Sequence, residues 1–412
     1  MKIRPVLLSL SLFALLSCQP QQRRLVPEWT GNPAVVNTDE EIRAEIGEKD
    51  ARIAAYLERQ HLDGILLTQV RNVYWITAGT ANTQIVLNKD VGAASLLILR
   101  GGKKYVICSG SEGPRLMDES LGKLGYTLLQ YPWYEANPVT DVREKVLRSV
   151  AGNGTIGSDA TFPGTVAIGD RFKELRYSFT DGELKRYRWL GKQTTEAVAE
   201  VCRAIEPGMS EFEIEALTSD ALRARGIMPT VLLIGADERI AKYRHALPAG
   251  AILKNYAMVN VVAEKWGMPV AVTRFVHFGP LPDELATKVR KSAEVMAHYE
   301  EATVPGAFCA SIFEKCKQWY ADAGYEGKWM KHHQGGAIGY DDREYVIYPG
   351  IAEVVQDRQP FAWNPTITGA KVEDTMIAFK DHCEVVTISD GWPMIDVTLN
   401  GKSYPQPGIL VR

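Results

Sequence analysis

Three histidines and one glutamate carry most of the chemistry this chain can offer. His245 stands in Tyr243-Arg244-His245-Ala246-Leu247-Pro248, and His332 and His333 are adjacent in Lys331-His332-His333-Gln334. Imidazole titrates near neutrality, so it is the natural acid and base at pH 7. Glu373, in Val372-Glu373-Asp374, either orients water or a cationic group, or pairs structurally with Arg274. Arg343 and Glu344 follow the run Gly335-Gly336-Ala337-Ile338-Gly339. An arginine there can clamp a carboxylate in bidentate fashion, or pair with Asp341 or Asp342. Asn260 and Asn364 offer neutral amides to a substrate, or serve as buried structural amides; both uses require satisfied hydrogen bonds. The expected catalytic pair is His245 and Glu373. The expected substrate contacts are Asn260, Asn364, Arg343, Glu344, His332 and His333, with one of the two adjacent histidines packed away.

The elements that must position these groups follow from periodicity. Residues 256–262 and 270–278 alternate as β-strands joined by a turn at Glu264-Lys265-Trp266-Gly267, which points Asn260 and Ala271 into one cleft. Trp266 and Trp363 are candidates for its lining. Earlier, Asp39 to Arg59 carries Ile42, Ile46, Ile53, Ala54 and Leu57 at helical spacing. Short apolar runs at 64–67, 94–99 and 105–108 then alternate with turns, a sheet flanked by helices. Residues 184–205 read as a long helix. Pro207-Gly208 opens a helix that stops at Gly226, with a capping box from Ser210 to Glu213, and Pro305-Gly306 opens another that stops at Gly324. The shared spacing suggests two repeated halves.

These motifs resemble the pita-bread family of prolidase, aminopeptidase P, methionine aminopeptidase and creatinase. The resemblance implies an α+β fold: a creatinase/prolidase-like α/β domain over residues 39–163, then a pita-bread domain over 164–412. It rests on the hairpin closing in Thr273-Arg274, the His245-x-x-Pro248 segment, the glycine loop, Asn364-Pro365 and Glu373-Asp374. Asn72-Val73-Tyr74-Trp75-Ile76-Thr77-Ala78-Gly79 resembles a stretch in the first domain of creatinase and prolidase, so Arg71 is a candidate to reach across to the site. Peptidases of the family hold two metal ions with Asp, Asp, His, Glu and Glu. The matching positions here are Asn260, Ala271, Gly336, Asn364 and Glu373. Hard or borderline dications need charged oxygen or imidazole, and one carboxylate cannot hold two of them. Asn then Ala at the first two positions is also the pattern of creatinase, the metal-free member. The implied function is a metal-independent hydrolase acting on a C–N bond of a small molecule or short peptide, with no cofactor and no metal ligand. Thr273 and Asn364 stand where creatinase keeps acidic groups, which argues against creatine itself. A metallopeptidase with a site rebuilt from His332, His333, Glu344 or Glu373, and an inactive ligand-binding lipoprotein, are the alternatives. Creatinase-type relatives are often dimers, so a homodimer is also implied.

The chain's 412 residues suit two domains, and its net charge of −3, without a basic stripe, points away from nucleic acid. Lys2 and Arg4 precede an apolar run too short to span a bilayer, ending in Leu15-Leu16-Ser17-Cys18. That pattern resembles a bacterial lipobox, with residues 1–17 as signal peptide and Cys18 as the acylated residue of an exported lipoprotein. It implies an anchor in the bacterial envelope, most naturally the outer membrane since Gln19 is not Asp. Residues 18–38 read as a flexible tether. Five cysteines remain, with no CxxC, and suit small buried apolar positions.

Overall fold

The computed structural model describes Val26, residues 28–31 and residues 36–412. Cys18 and the signal peptide lie outside the described residues. Among the described residues no helix is long and apolar enough to cross a membrane. The parts of residues 18–38 that are described are not a loose tether. Val26 is buried in the main core, the Asn37 amide donates to the Gly182 carbonyl at 3.2 Å, and the Arg225 guanidinium lies over the Trp29 ring.

The first domain opens with the helix Asp39–Arg59, capped at Thr38 by a capping box with Glu41. Its six-stranded sheet runs Thr127–Tyr131, Lys104–Ser109, Val91–Leu99, Gly64–Gln69, Ile156–Ser158 and Val166–Ala167 in spatial order. The last strand pairs in parallel with Ile156–Ser158. The first domain therefore extends past the expected boundary at 163, to Ala167 at least.

The second domain begins with the helix Asp181–Ala204, again with a capping box, from Thr180 to Glu183. The repeated halves are visible in the backbone. Gly208 N donates to Leu253 O, Leu253 N to Met209 O and Glu211 N to Ala251 O. In the second half Gly306 N donates to Val355 O, Val355 N to Ala307 O and Cys309 N to Glu353 O. Gly208 and Gly306 both sit at positive φ, 99° and 90°, which a side chain at either position would strain. The helices Glu211–Ala224 and Cys309–Asp322 follow these matching turns.

Each half contributes a sheet. The first holds Met228–Ala236, Tyr256–Lys265, Met268–His277 and Ile409–Val411; the second holds Tyr345–Val346, Gly335–Ala337, Gln359–Trp363, Asp374–Ala378 and Cys383–Val385. Thr375 joins them. Its hydroxyl accepts from Ala271 N at 2.8 Å and donates to Ala271 O at 2.9 Å, while Thr273 N donates to Glu373 O. The Tyr256–Lys265 and Met268–His277 strands turn at Trp266 and Gly267, φ 58° and 75°, the signs of a tight type I′ hairpin. The turn presses on the first domain: a Cβ at Gly267 would fall 2.5 Å from that of Tyr74. Trp266 packs edge-on against Trp189, and Trp363 stacks on Tyr299 with its indole N–H on Thr303 Oγ1. Trp363 is thus core, not cleft lining.

A buried charge network locks the domains together. Lys49 Nζ lies 2.6 Å from Glu45 and 2.7 Å from Glu183, and Arg186 clamps Glu45 at 2.7 and 2.8 Å. The Tyr340 hydroxyl, just beyond the glycine loop, donates to Glu183 at 2.7 Å. Lys49 is fully buried. Replacing Lys49 by Met leaves two buried carboxylates short of a cation, which costs about 3–5 kcal/mol. Denaturant unfolding of K49M checks this; a loss below about 1 kcal/mol would show that the network is dispensable.

Candidate active site

The centre of the concave face is one carboxylate and its donors. Asn260 pairs across the hairpin with Thr273, and Ala271 is two residues before Thr273, so all three share a face. Glu373 is delivered to that face by the sheet junction. Its Oε2 accepts from Asn260 Nδ2 and Thr273 Oγ1, both at 2.6 Å, and lies 2.7 Å from Lys371 Nζ. Lys371 also reaches Asn260 Oδ1 at 3.3 Å. All three donors converge on Oε2, and among the described residues none donates to Oε1. Burial pushes the Glu373 carboxyl up, but Lys371, Thr273 and Arg343 outweigh it and hold the group at about 2. Burial pulls the Lys371 ammonium down to about 8, against the attraction of Glu373. Lys371 escaped the sequence reading, although two residues of extended chain put it on the same side as Glu373.

The three histidines converge beside this centre. His245 Nε2 and His332 Nε2 are 3.0 Å apart, with rings edge-on, and the His332 and His333 rings lie 3.9 Å apart. The expectation that one of the adjacent pair packs away is therefore corrected: His333 is exposed and His332 half-buried in the same cluster. His332 Nδ1 meets the His333 carbonyl. Assigning the Nδ1 proton to that carbonyl makes His332 Nε2 the acceptor, so His245 donates through Nε2 and keeps Nδ1 as its basic nitrogen. Burial, then Arg244, pulls His332 down to about 3. Although His333 and His245 are exposed overall, burial of the ring within the cluster, then Arg343 and Arg244, pulls His333 to about 4, and burial with Arg244 lowers His245. All three are neutral at pH 7. The Glu373 charge acts on His245, His333, Arg244 and Arg343, which places these groups around one centre.

Other expected groups are committed elsewhere. The Asn364 amide, with its nitrogen toward the Gln334 and His333 carbonyls at 3.0 Å each, braces the histidine segment instead of facing a substrate. Glu344 is buried in a bidentate pair with Arg176, at 3.1 and 2.6 Å, and accepts from Tyr340 N, so it is structural. Arg274 pairs with Asp374 at 2.9 Å and not with Glu373. Arg343 makes no ion pair with Asp341 or Asp342 among the described residues; it donates to the Asp342 carbonyl at 2.7 Å. Arg71 does reach across the domains, to the Asp341 carboxylate.

A cavity of roughly 320 Å³ opens along the same face of the hairpin, between Met258 and Phe275 on one side and Arg244, His332 and Lys371 on the other. Met258 and Phe275 are each two residues from Asn260 and Thr273 on the same face, and Lys371 belongs both to the cavity wall and to the Glu373 centre.

The donor set does not fit the two metal ions that the fold family implies. Ala271 packs with Ile338 and Ala362 in a small apolar knot. A Cβ at Gly336 would fall 2.1 Å from the Tyr345 carbonyl oxygen, so a side chain there requires the backbone to move. The Lys371 ammonium already stands against Glu373. Among the described residues no group of three or more His, Cys, Asp or Glu is placed to hold a metal ion, which disfavours a site rebuilt from His332, His333, Glu344 and Glu373.

Two outcomes follow from this geometry. Gly336→Ala should destabilise the protein by about 1–3 kcal/mol through overpacking against backbone; an unchanged melting temperature would contradict the closed loop. The histidines give a signed pH dependence. Their folded-state values lie below the ordinary 6.5, so the unfolded chain takes up protons first. Stability from the neutral cluster is complete above pH 6.5 and is lost as pH falls toward 4. Melting scans should show a smaller loss from pH 7.5 to 5 for His332→Gln than for the parent; equal losses would count against the cluster.

Residues 185–386 match metallopeptidase family M24. An uncharacterized peptidase of Staphylococcus haemolyticus is 21% identical over 376 residues, covering 83% of this chain and 99% of that protein. The human Xaa-Pro dipeptidase is 25% identical over 256 residues, 58% of this chain and 49% of its own. Among solved structures, the prolidase of Pyrococcus horikoshii superposes with a TM-score of 0.69 at 17% identity, over 83% of this chain and 99% of that one. An Xaa-Pro dipeptidase of Bacillus anthracis gives 0.67 at 16%, over 89% and 100%. At these identities the structural likeness establishes the fold. The second domain thus matches metallopeptidase family M24 over residues 185–386, within a fold that both domains share with the prolidase structures.

Proposed function

We propose that this protein is a metal-independent hydrolase of the family, acting on a C–N bond of a small molecule or short peptide. The observation that carries this reading is the Lys371 ammonium 2.7 Å from Glu373, where the family's carboxylate would face a metal. The ion pair neutralises Glu373 without a dication and keeps it ionised, with Oε1 available to orient water. His245, neutral at pH 7 and paired with His332, is the proton carrier. In the proposed hydrolysis water oxygen bonds to the acyl or ureido carbon, and His245 Nδ1 takes the water proton. The C–N bond then breaks and His245 returns that proton to the leaving nitrogen. The nearby Arg343 and Lys371 charges favour the oxyanion formed on the way.

A second reading, ligand capture without turnover, is favoured by one observation. Three donors already crowd a single oxygen of Glu373, a bracing pattern that needs no catalysis.

A screen of amide, guanidino and ureido compounds, run with and without chelator, separates these readings. Chelator-insensitive turnover, lowered ~10²–10⁴-fold in His245→Ala, is the expected result. Activity lost to chelator and restored by manganese would overturn metal independence. Thermal stabilisation by a compound that is never turned over would establish capture.

A further inference from the structure

We infer that the cavity beside the Lys371–Glu373 centre binds a small organic anion carrying at least two negative charges. This deepens the proposed function by naming the ligand class of the same cleft, and rests on that cleft being the working site. It requires neither turnover nor the absence of metal. The cavity lining holds five cationic side chains, Lys242, Arg244, Lys328, Lys331 and Lys371, and no carboxylate. That local excess occurs in a chain whose 50 acidic residues outnumber its 47 basic ones, so it does not reflect overall composition.

Two of these charges, Arg244 and Lys371, have a single carboxylate between them, Glu373. Arg244 is half-buried and forms no ion pair with a carboxylate among the described residues. Among the described residues it donates to the Asn364 carbonyl at 3.1 Å, and its other neighbour, His332 Nδ1 at 3.2 Å, already carries a proton and cannot accept. Lys371 has Glu373, but that oxygen is shared with Asn260 and Thr273. Withdrawing a guanidinium from water without an anion is costly, and a ligand anion offsets the cost. Lys328 and Lys331 extend the positive field to the mouth, where a second negative group is met. Met258 and Phe275 give the wall between them an apolar surface, suited to a short carbon skeleton. A zwitterionic dipeptide would bring an ammonium into this field; a dicarboxylate or a phosphate monoester would not.

Calorimetric titration of the full folded chain at constant ionic strength tests the inference. Succinate, succinamate and succinamide share a skeleton and differ by one charge each, and methyl phosphate supplies the phosphate arm. The expected result is that succinate or methyl phosphate binds at least tenfold more tightly than succinamate, with succinamide not bound. Which dianion wins identifies the carboxylate or the phosphate source. Arg244→Gln, and the rim double variant K328Q/K331Q, should each weaken the winner at least tenfold. The inference is overturned if neither dianion exceeds succinamate. It is equally overturned if K328Q/K331Q, with an unchanged melting temperature, binds both dianions as the parent does. Because binding is read without turnover, an inactive protein that binds dianions would sink the hydrolase reading and leave this one standing.

Discussion

The contact between Lys371 and Glu373 sets the character of the whole cleft. A lone carboxylate on a buried face must find a cation, a proton or a metal. Here the cation is covalently part of the chain, two residues away, and its ammonium shares the carboxylate oxygen with an amide and a hydroxyl. The pair holds Glu373 ionised far below neutral pH. It also limits further acidic groups nearby: with one positive charge at the centre, additional carboxylates would repel one another. Asn260, Ala271 and Asn364 are consistent with that constraint, each placing a neutral side chain where an acid would go unbalanced.

The fold supports this contact through its two repeated halves and through local packing around the centre. The repeated halves bring two sheets edge to edge, and the Thr375 hydroxyl stitches the seam at Ala271, two residues along the strand from Thr273. The hairpin tip and the Lys49 network fix the first domain against the same half. In the glycine loop, Gly336 lies against the backbone of the neighbouring strand. The histidine cluster then sits on a segment held from below by the Asn364 amide. Asn364, expected to touch ligand, thus braces the histidine segment instead.

Local pattern was enough to read much of this from the sequence. The helix Asp39–Arg59, the hairpin and the paired Pro-Gly helix starts depend on caps, periodicity and turns within a few residues. The errors arose where distant chain decides. Arg274 was offered to Glu373, yet neighbours on a strand face opposite sides; Thr273 takes the cleft, so Arg274 meets Asp374 behind it. Glu344 finds Arg176 from 168 positions away, which no local motif announces. The strand Val166–Ala167 is two residues long and too short to signal itself, so the domain boundary was placed too early. Lys371 is legible by strand alternation, two residues before Glu373 on the same side, but its ion pair is set by tertiary packing.

The most direct test of the central claim is anomalous diffraction from crystals grown with manganese and zinc. The account predicts no anomalous peak between Asn260 and Glu373, and Lys371 Nζ seated against the carboxylate. Two peaks bridged by Glu373, with Lys371 swung away, would contradict it.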